Sequence, residues 1–169
     1  GLEEQFFINQ KELKILFLQK SKEFHPDFHR NDEAKYEEAL EMSSINNVAF
    51  KTLSKQDTRV AYILRIHGLL EEGKSEMPQA FLFEMMEVNE AIMDLKMDYD
   101  EAAHQKVVAE VDQISKELEK SLEQLAKNCD EIGVGDEARV EILEKIKEIY
   151  LKQKYVLRIK ESLNTFAPL

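Results

Sequence analysis

Residues 99–135 read YDEAAHQKVVAEVDQISKELEKSLEQLAKNCDEIGVG. Val107, Val111, Ile114, Leu118, Leu122, Leu125, Cys129 and Ile132 recur along this stretch at steps of three and four. That is the period of one helix face, and no proline or glycine interrupts it before Gly133-Val134-Gly135. At about 1.5 Å per residue, roughly 30 residues make a rod of about 45–50 Å. Asp136 is placed to cap a last helix, in which Ile142, Ile149, Val156 and Leu163 repeat with Ile146 between them. Two long helices joined by a tight glycine turn predict an antiparallel pair. Upstream, Met77-Pro78 reads as the entry to another helix, running from Pro78 to near Met97. On its wheel Met85, Val88, Ile92 and Leu95 fall within about 40° of Phe81, a complete core stripe. Residues 73–169 are therefore expected to form an antiparallel three-helix bundle.

The first half reads as shorter helices. Asn9 is an N-cap candidate, with Glu12 at capping-box spacing. Leu13, Phe17 and Phe24 then lie near one face, with Leu16 beside them, until Pro26 ends the pattern. A second helix is predicted from Asp32, with Met42, Ile45, Ala49 and Leu53 as its core stripe. A short third helix runs from about Gln56 to His67 and carries Val60, Ile63 and Leu64. Gly68 and Gly73 bracket a polar link. The predicted domains are thus 1–72 and 73–169, both all-α.

Composition agrees with this and excludes several function classes. The 169 residues are 43% hydrophobic and 34% charged, enough apolar material for a packed core. Only 5 Gly and 3 Pro leave few turns for an all-β fold. The net charge of -11 disfavours nucleic acid and anionic membrane surfaces, whose phosphates repel it. No run of about 18 apolar residues is present to cross a membrane. The single cysteine, Cys129, excludes an internal disulfide framework and a paired-cysteine metal site. No secretory apolar region or Arg/Ser-rich presequence is visible at the start. The charge divides unevenly: 1–72 hold 10 basic and 13 acidic residues, whereas 73–169 hold 13 and 21. The bundle half is the more acidic.

Between the first two predicted helices stands His25-Pro26-Asp27. By composition alone such a tripeptide occurs in on the order of one in a hundred chains of this length. The preceding helix carries Lys11, Lys14, Lys20 and Lys22, of which Lys11, Lys14 and Lys22 share a face. A solvated lysine face followed by a proline turn is the plain alternative. However, helix, His-Pro-Asp, helix, with Ile45-Asn46, Ala49-Phe50 and Thr52-Leu53 behind it, resembles a J domain. The run from Ile45 through Arg59, Tyr62, Leu64 and His67-Gly68 is closer still to the HscB family, J-type co-chaperones of iron–sulfur cluster assembly. Phe81-Leu82-Phe83-Glu84-Met85-Met86-Glu87 is similar to the start of that family's C-terminal bundle, so the resemblance covers essentially the whole chain. J domains open with a short helix ahead of the lysine-bearing one. Gly1-Leu2 resembles its tail, so most of that first helix is missing and a handful of native residues is expected to precede Gly1.

The resemblance implies roles. His25, Pro26 and Asp27, with Lys11, Lys14 and Lys22, would engage a DnaK/HscA-type chaperone and stimulate its ATPase. Periodicity independently singles out Phe83 and Met86, which point away from the filled core stripe, near Glu87, Glu90 and Asp94. An apolar pair rimmed by acids is a candidate partner surface; packing of Phe83 and Met86 against the neighbouring domain is the lesser alternative. In the family the matching face binds the iron–sulfur scaffold protein IscU. Leu82, Phe83, Met86, Glu87, Glu90 and Asp94 occupy that position, and Tyr150 matches an aromatic contact while also bordering the core stripe of the last helix.

Enzyme readings fare worse. Glu101-x-x-His104 is half of a di-iron bundle signature with no second half, and reads as a solvated face. His25 and His29 are separated by proline and lack a third ligand. His67 reads as a helix-end residue and Cys129 as an inert core thiol. No phosphate-binding glycine loop is present. The expectation is a non-enzymatic, monomeric co-chaperone with no cofactor or metal, in the bacterial cytoplasm; a mitochondrial matrix location would require removal of a presequence. A J protein for a different client, and a helical interaction bundle without a chaperone role, remain as alternatives.

Overall fold

Local capping chemistry sets where the helices begin. The computed structural model describes residues 2–71 and 76–165. Among these, the helices are α1 (Gln10–Glu23), α2 (Glu33–Ser54), α3 (Gln56–Ile66), α4 (Gln79–Glu84), α5 (Met86–Met97), α6 (Glu101–Glu131) and α7 (Glu137–Asn164), with a single 3-10 turn at Pro26–Phe28. Asn9 Oδ1 accepts from the backbone N–H groups of Lys11 at 3.0 Å and Glu12 at 3.4 Å. Asp32, Asp100 and Asp136 likewise cap α2, α6 and α7, satisfying donors that a helix start leaves without partners. The chain divides into two units, Gly1–Ile66 and His67–Leu169. The predicted boundary between 72 and 73, and Gly73 itself, lie outside the described residues.

In the first unit α1 and α2 form a hairpin with α3 packed against α2. Phe17 stacks on Phe50 with ring centroids 4.3 Å apart. Beside this pair Asn46 Nδ2 donates to Phe17 O at 3.1 Å and Ser21 Oγ at 3.0 Å, a polar clamp between the two helices. α3 supplies most of the core through Val60, Ala61, Ile63 and Leu64. Leu2 to Asn9 form no helix, yet Phe6 is only 2% exposed. The buried Arg59 holds that segment: its Nε donates to Phe6 O at 2.8 Å, and its Nη1 donates to Leu53 O at the end of α2.

Half of the stripe predicted for α2 turns away from the core. Met42 and Leu53 are half-buried, whereas Ile45 is 52% exposed and Ala49 is exposed as well; only Ala39 of this helix is buried outright. The inner face runs through Ala39, Asn46 and Phe50, because Asn46 makes its hydrogen bonds inward to α1. Ile45, Val48, Ala49, Thr52 and Tyr62 instead line an open apolar groove between α2 and α3.

In the second unit α6 and α7 are antiparallel. Lys160 Nζ meets Asp112 Oδ1 at 2.8 Å, and His104 Nε2 lies 3.1 Å from Leu163 O. At the other end Arg139, buried at the start of α7, donates to the carbonyls of Cys129 and Ile132. Gly135, with φ 100°, supplies the left-handed residue of the turn. The half of this pair nearest the chain's C-terminal end is completed by α4 and α5. There Phe81, Met85, Val88, Ile92 and Leu95, the predicted stripe, are all buried against Val107 and Val111 of α6 and Val156, Ile159 and Leu163 of α7.

Two details depart from expectation. The helix predicted from Pro78 to Met97 is broken at Met85, whose ψ of 0° loosens the ladder. Its carbonyl accepts from both the backbone and the side-chain amide of Asn89, and Asn89 Nδ2 also reaches Tyr155 Oη at 2.8 Å. In the first half of α7 the buried line is Arg139, Leu143, Ile146 and Tyr150, with Ile142 and Ile149 half-buried. A seven-residue repeat drifts by about 20° per heptad on a straight helix, so the repeat names the face only approximately.

Candidate functional site

The His-Pro-Asp segment is a rigid turn. Pro26 opens the 3-10 turn, with its φ fixed by the ring, and Phe28 N–H and His29 N–H donate to His25 O and Pro26 O, each at 3.0 Å. His25 Nδ1 accepts from Asp27 N–H at 3.3 Å. A neutral imidazole in that arrangement carries its proton on Nε2, on the far side of the ring. Asp27 is held from the other direction: Arg30 Nε and Nη2 donate to its Oδ1 at 3.1 and 2.5 Å. His29 Nε2 lies 3.2 Å from Glu23 O, tying the turn to the last residue of α1. His25 and Asp27 nevertheless remain about half exposed.

α1 presents a basic face to solvent beside this turn. Lys11, Lys14 and Lys22 are exposed and form no ion pair among the described residues. Lys20, on the opposite side, pairs with Glu23 at 2.7 Å and covers the Phe24 ring. The exposed Ile15 and Leu18 lie between the three lysines, so the face is apolar as well as basic. Sequence reasoning missed Ile15, Leu18, Phe28 and Arg30. The signal for Arg30 was available as an arginine three residues after Asp27; the exposure of the others follows only from the packing of α1 on α2.

The second candidate surface lies on α4 and α5. Phe83 is 70% exposed, and Leu82, Met86, Glu87, Glu90 and Asp94 are exposed with it. The core stripe of the same helices is fully buried on the opposite side, so these apolar residues are surplus to the unit's own packing. Tyr150 does not join them. It is 8% exposed, with Lys154 Nζ 5.3 Å from its ring centre, and is a core residue of α7.

Other sequence candidates have structural roles. Cys129 is buried. His104 is half-buried, bonded to α7 and set against Tyr99, rather than on a solvated face. Among the described residues no group of three His, Cys, Asp or Glu is arranged to hold a metal ion, and no helix is long and apolar enough to cross a membrane.

Comparison with known proteins agrees with this geometry. Residues 77–164 match the family model described as the HSCB C-terminal oligomerisation domain. The fold matches the crystal structure of the human co-chaperone protein HscB at a TM-score of 0.69 and 26% identity, over 100% of this chain and 80% of that one. It also matches the chaperone HscB from Vibrio cholerae at a TM-score of 0.57 and 24% identity, over 96% and 95% of the two chains, a likeness of fold. With a His-Pro-Asp turn in its first unit and the family's bundle in its second, the chain belongs to the HscB family of J-type co-chaperones of iron–sulfur cluster assembly.

Proposed function

We propose that this protein stimulates the ATPase of a DnaK/HscA-type chaperone and delivers an IscU-type iron–sulfur scaffold protein to it for cluster transfer. The observation that carries the reading is the His25-Pro26-Asp27 turn, locked by its own backbone and side-chain bonds while its polar groups stay exposed beside a basic face. Residues 1–72 act as the J domain and 73–169 as the scaffold-binding bundle. Hydrolysis belongs to the chaperone. The turn accelerates it only by binding the hydrolysis-competent state more tightly than the resting state. A pre-ordered turn loses little entropy on docking, and Lys11, Lys14 and Lys22 steer it toward an acidic partner. The scaffold docks on Leu82, Phe83, Met86, Glu87, Glu90 and Asp94. Joining both surfaces in one monomer raises the effective concentration of scaffold at the chaperone. The setting is the bacterial cytoplasm.

The test is a steady-state ATPase assay with chaperone, scaffold and the Asp27→Asn variant. The substitution removes the charge that Arg30 and His25 face, at an exposed site, so the fold and scaffold affinity are expected to stay. Stimulation is expected to vanish; unchanged stimulation overturns the assignment. Phe83→Ala with Met86→Ala is expected to weaken scaffold binding by about 1 kcal/mol or more per anchor, and full affinity in calorimetry would remove that surface from the account.

A further inference from the structure

On α5 the wheel places Met86, Glu90, Met93 and Met97 within about 60° of one another, directly opposite the buried Val88, Ile92 and Leu95. Met93 is 63% exposed and Met97 87% exposed. The apolar face therefore does not stop at Met86. It continues along the outside of the helix for a further 11 residues, about 16 Å at 1.5 Å per residue. Methionine suits such a surface because its unbranched, polarizable chain adapts to a partner at small steric cost.

The stripe is also electrically one-sided. Glu87, Asp94 and Asp98 flank one edge, whereas Asn89 and Lys96 flank the other. Glu87, Glu90, Asp94 and Asp98 are exposed and enter no ion pair among the described residues. At the far end a shallow depression is bordered by Ala91, Asp94, Leu95, Met97, Asp98 and Asp100. Asp100 is engaged as the α6 cap, accepting from Ala103 N–H at 2.6 Å, which leaves Asp94 and Asp98 to meet a ligand. An apolar floor with carboxylates on its rim fits a long basic side chain, its stem on Leu95 and Met97 and its charge on the acids.

We infer that the scaffold surface extends along α5 through Met93 to Met97, and that its far end receives a lysine or arginine of the same scaffold protein. This rests on the reading of Phe83 and Met86 as the scaffold face. The partner element must carry apolar side chains over about three helical turns and a basic residue at the end that meets Asp98. Its orientation on α5 is then fixed, because the reversed orientation would set that residue away from the acids.

The test is isothermal titration of the apo IscU-type scaffold protein of the same organism against three variants of the full chain. Met93→Gln with Met97→Gln changes only exposed side chains and is expected to weaken binding about tenfold. Asp98→Asn is expected to weaken it about threefold in dilute buffer, with the loss shrinking as salt is added. Phe83→Ala with Met86→Ala is the reference. If the reference weakens binding while the methionine pair leaves it unchanged, the extension is wrong and the scaffold face stands. If neither pair changes affinity, the face itself is wrong. An unaltered Asp98→Asn affinity at low salt removes the basic side chain. Velocity sedimentation of the chain alone covers the remaining occupant: a dimer that the methionine pair dissolves would assign the stripe to a second copy and overturn the inference.

Discussion

The two units differ in how much apolar material holds them. Among the described residues the first buries Phe6, Leu13, Ala39, Val60, Ala61, Ile63 and Leu64, two of them alanines. The second buries more than twice as many, in a core that continues along α6 and α7 from Val107 to Cys129 and from Leu143 to Leu163. The first compensates with polar cross-links, Asn46 to α1 and Arg59 to both Phe6 and Leu53. The second has its own buried arginine, Arg139, which donates to two carbonyls at the α6–α7 turn. The two surfaces proposed for partners follow the same division. In the first unit the surface is a turn whose shape comes from hydrogen bonds. In the second it is an apolar face that a complete core on the opposite side leaves free.

Cavity formation tests this contrast most severely. Leu64 is fully buried, and Leu64→Ala is expected to cost about 2–5 kcal/mol. A unit of this size holds on the order of 3–10 kcal/mol in total, so the loss takes roughly half of its margin. Hydrogen exchange should show α1 to α3 losing protection while α6 and α7 keep theirs; equal loss in both units would mean that they unfold as one. Arg59→Ala comes next, at about 2–3 kcal/mol, because two carbonyls lose a charged donor. Its distinguishing mark is local: exchange should rise first around Phe6 and at the end of α2. A Tm unchanged within error would show that the N-terminal segment owes nothing to that arginine.

The smallest effect is expected at Asp112→Asn. The hydrogen bond and charge of Lys160 hold the Asp112 carboxyl below its ordinary value, so the fold favours its ionised form. That contribution is present at neutral pH and is lost as the pH falls through the lowered folded value. A small Tm difference between variant and parent should therefore exist at pH 7, shrink in high salt, and close below about pH 4. A gap that widens in acid would refute the sign.

The helix starts were legible because Asn9, Asp32 and Asp136 cap where their side-chain oxygens require. The core stripe from Phe81 to Leu95 was legible because every polar residue of that segment lies off it. Ile45 and Ala49, half of the stripe of α2, were misread for the converse reason. Counting apolar positions ranks Ile45 above Asn46, whereas Asn46 faces inward once Phe17 O and Ser21 Oγ are there to receive it. Tyr150 and Ile149 differ by one position on a drifting repeat, and only the packing of α7 decides between them. At the candidate site, His25, Pro26 and Asp27 could be located from sequence, and so could an arginine three residues after Asp27, but not that it grips the carboxylate. That grip depends on a turn that brings the two side chains together. Met93 and Met97 were passed over because a search for core residues discards outward methionines.

The burial of Cys129 has a practical side. The chain has one thiol, and it is fully shielded between α6 and α7. Thiol reagents need an accessible thiolate, so in the folded protein they find none. A cysteine introduced at the 87%-exposed Met97, or at the exposed Phe28 beside the turn, would be the sole labelling point with Cys129 left in place. A fluorophore at either position would report the arrival of the partner proposed for that surface, while the other surface stays intact.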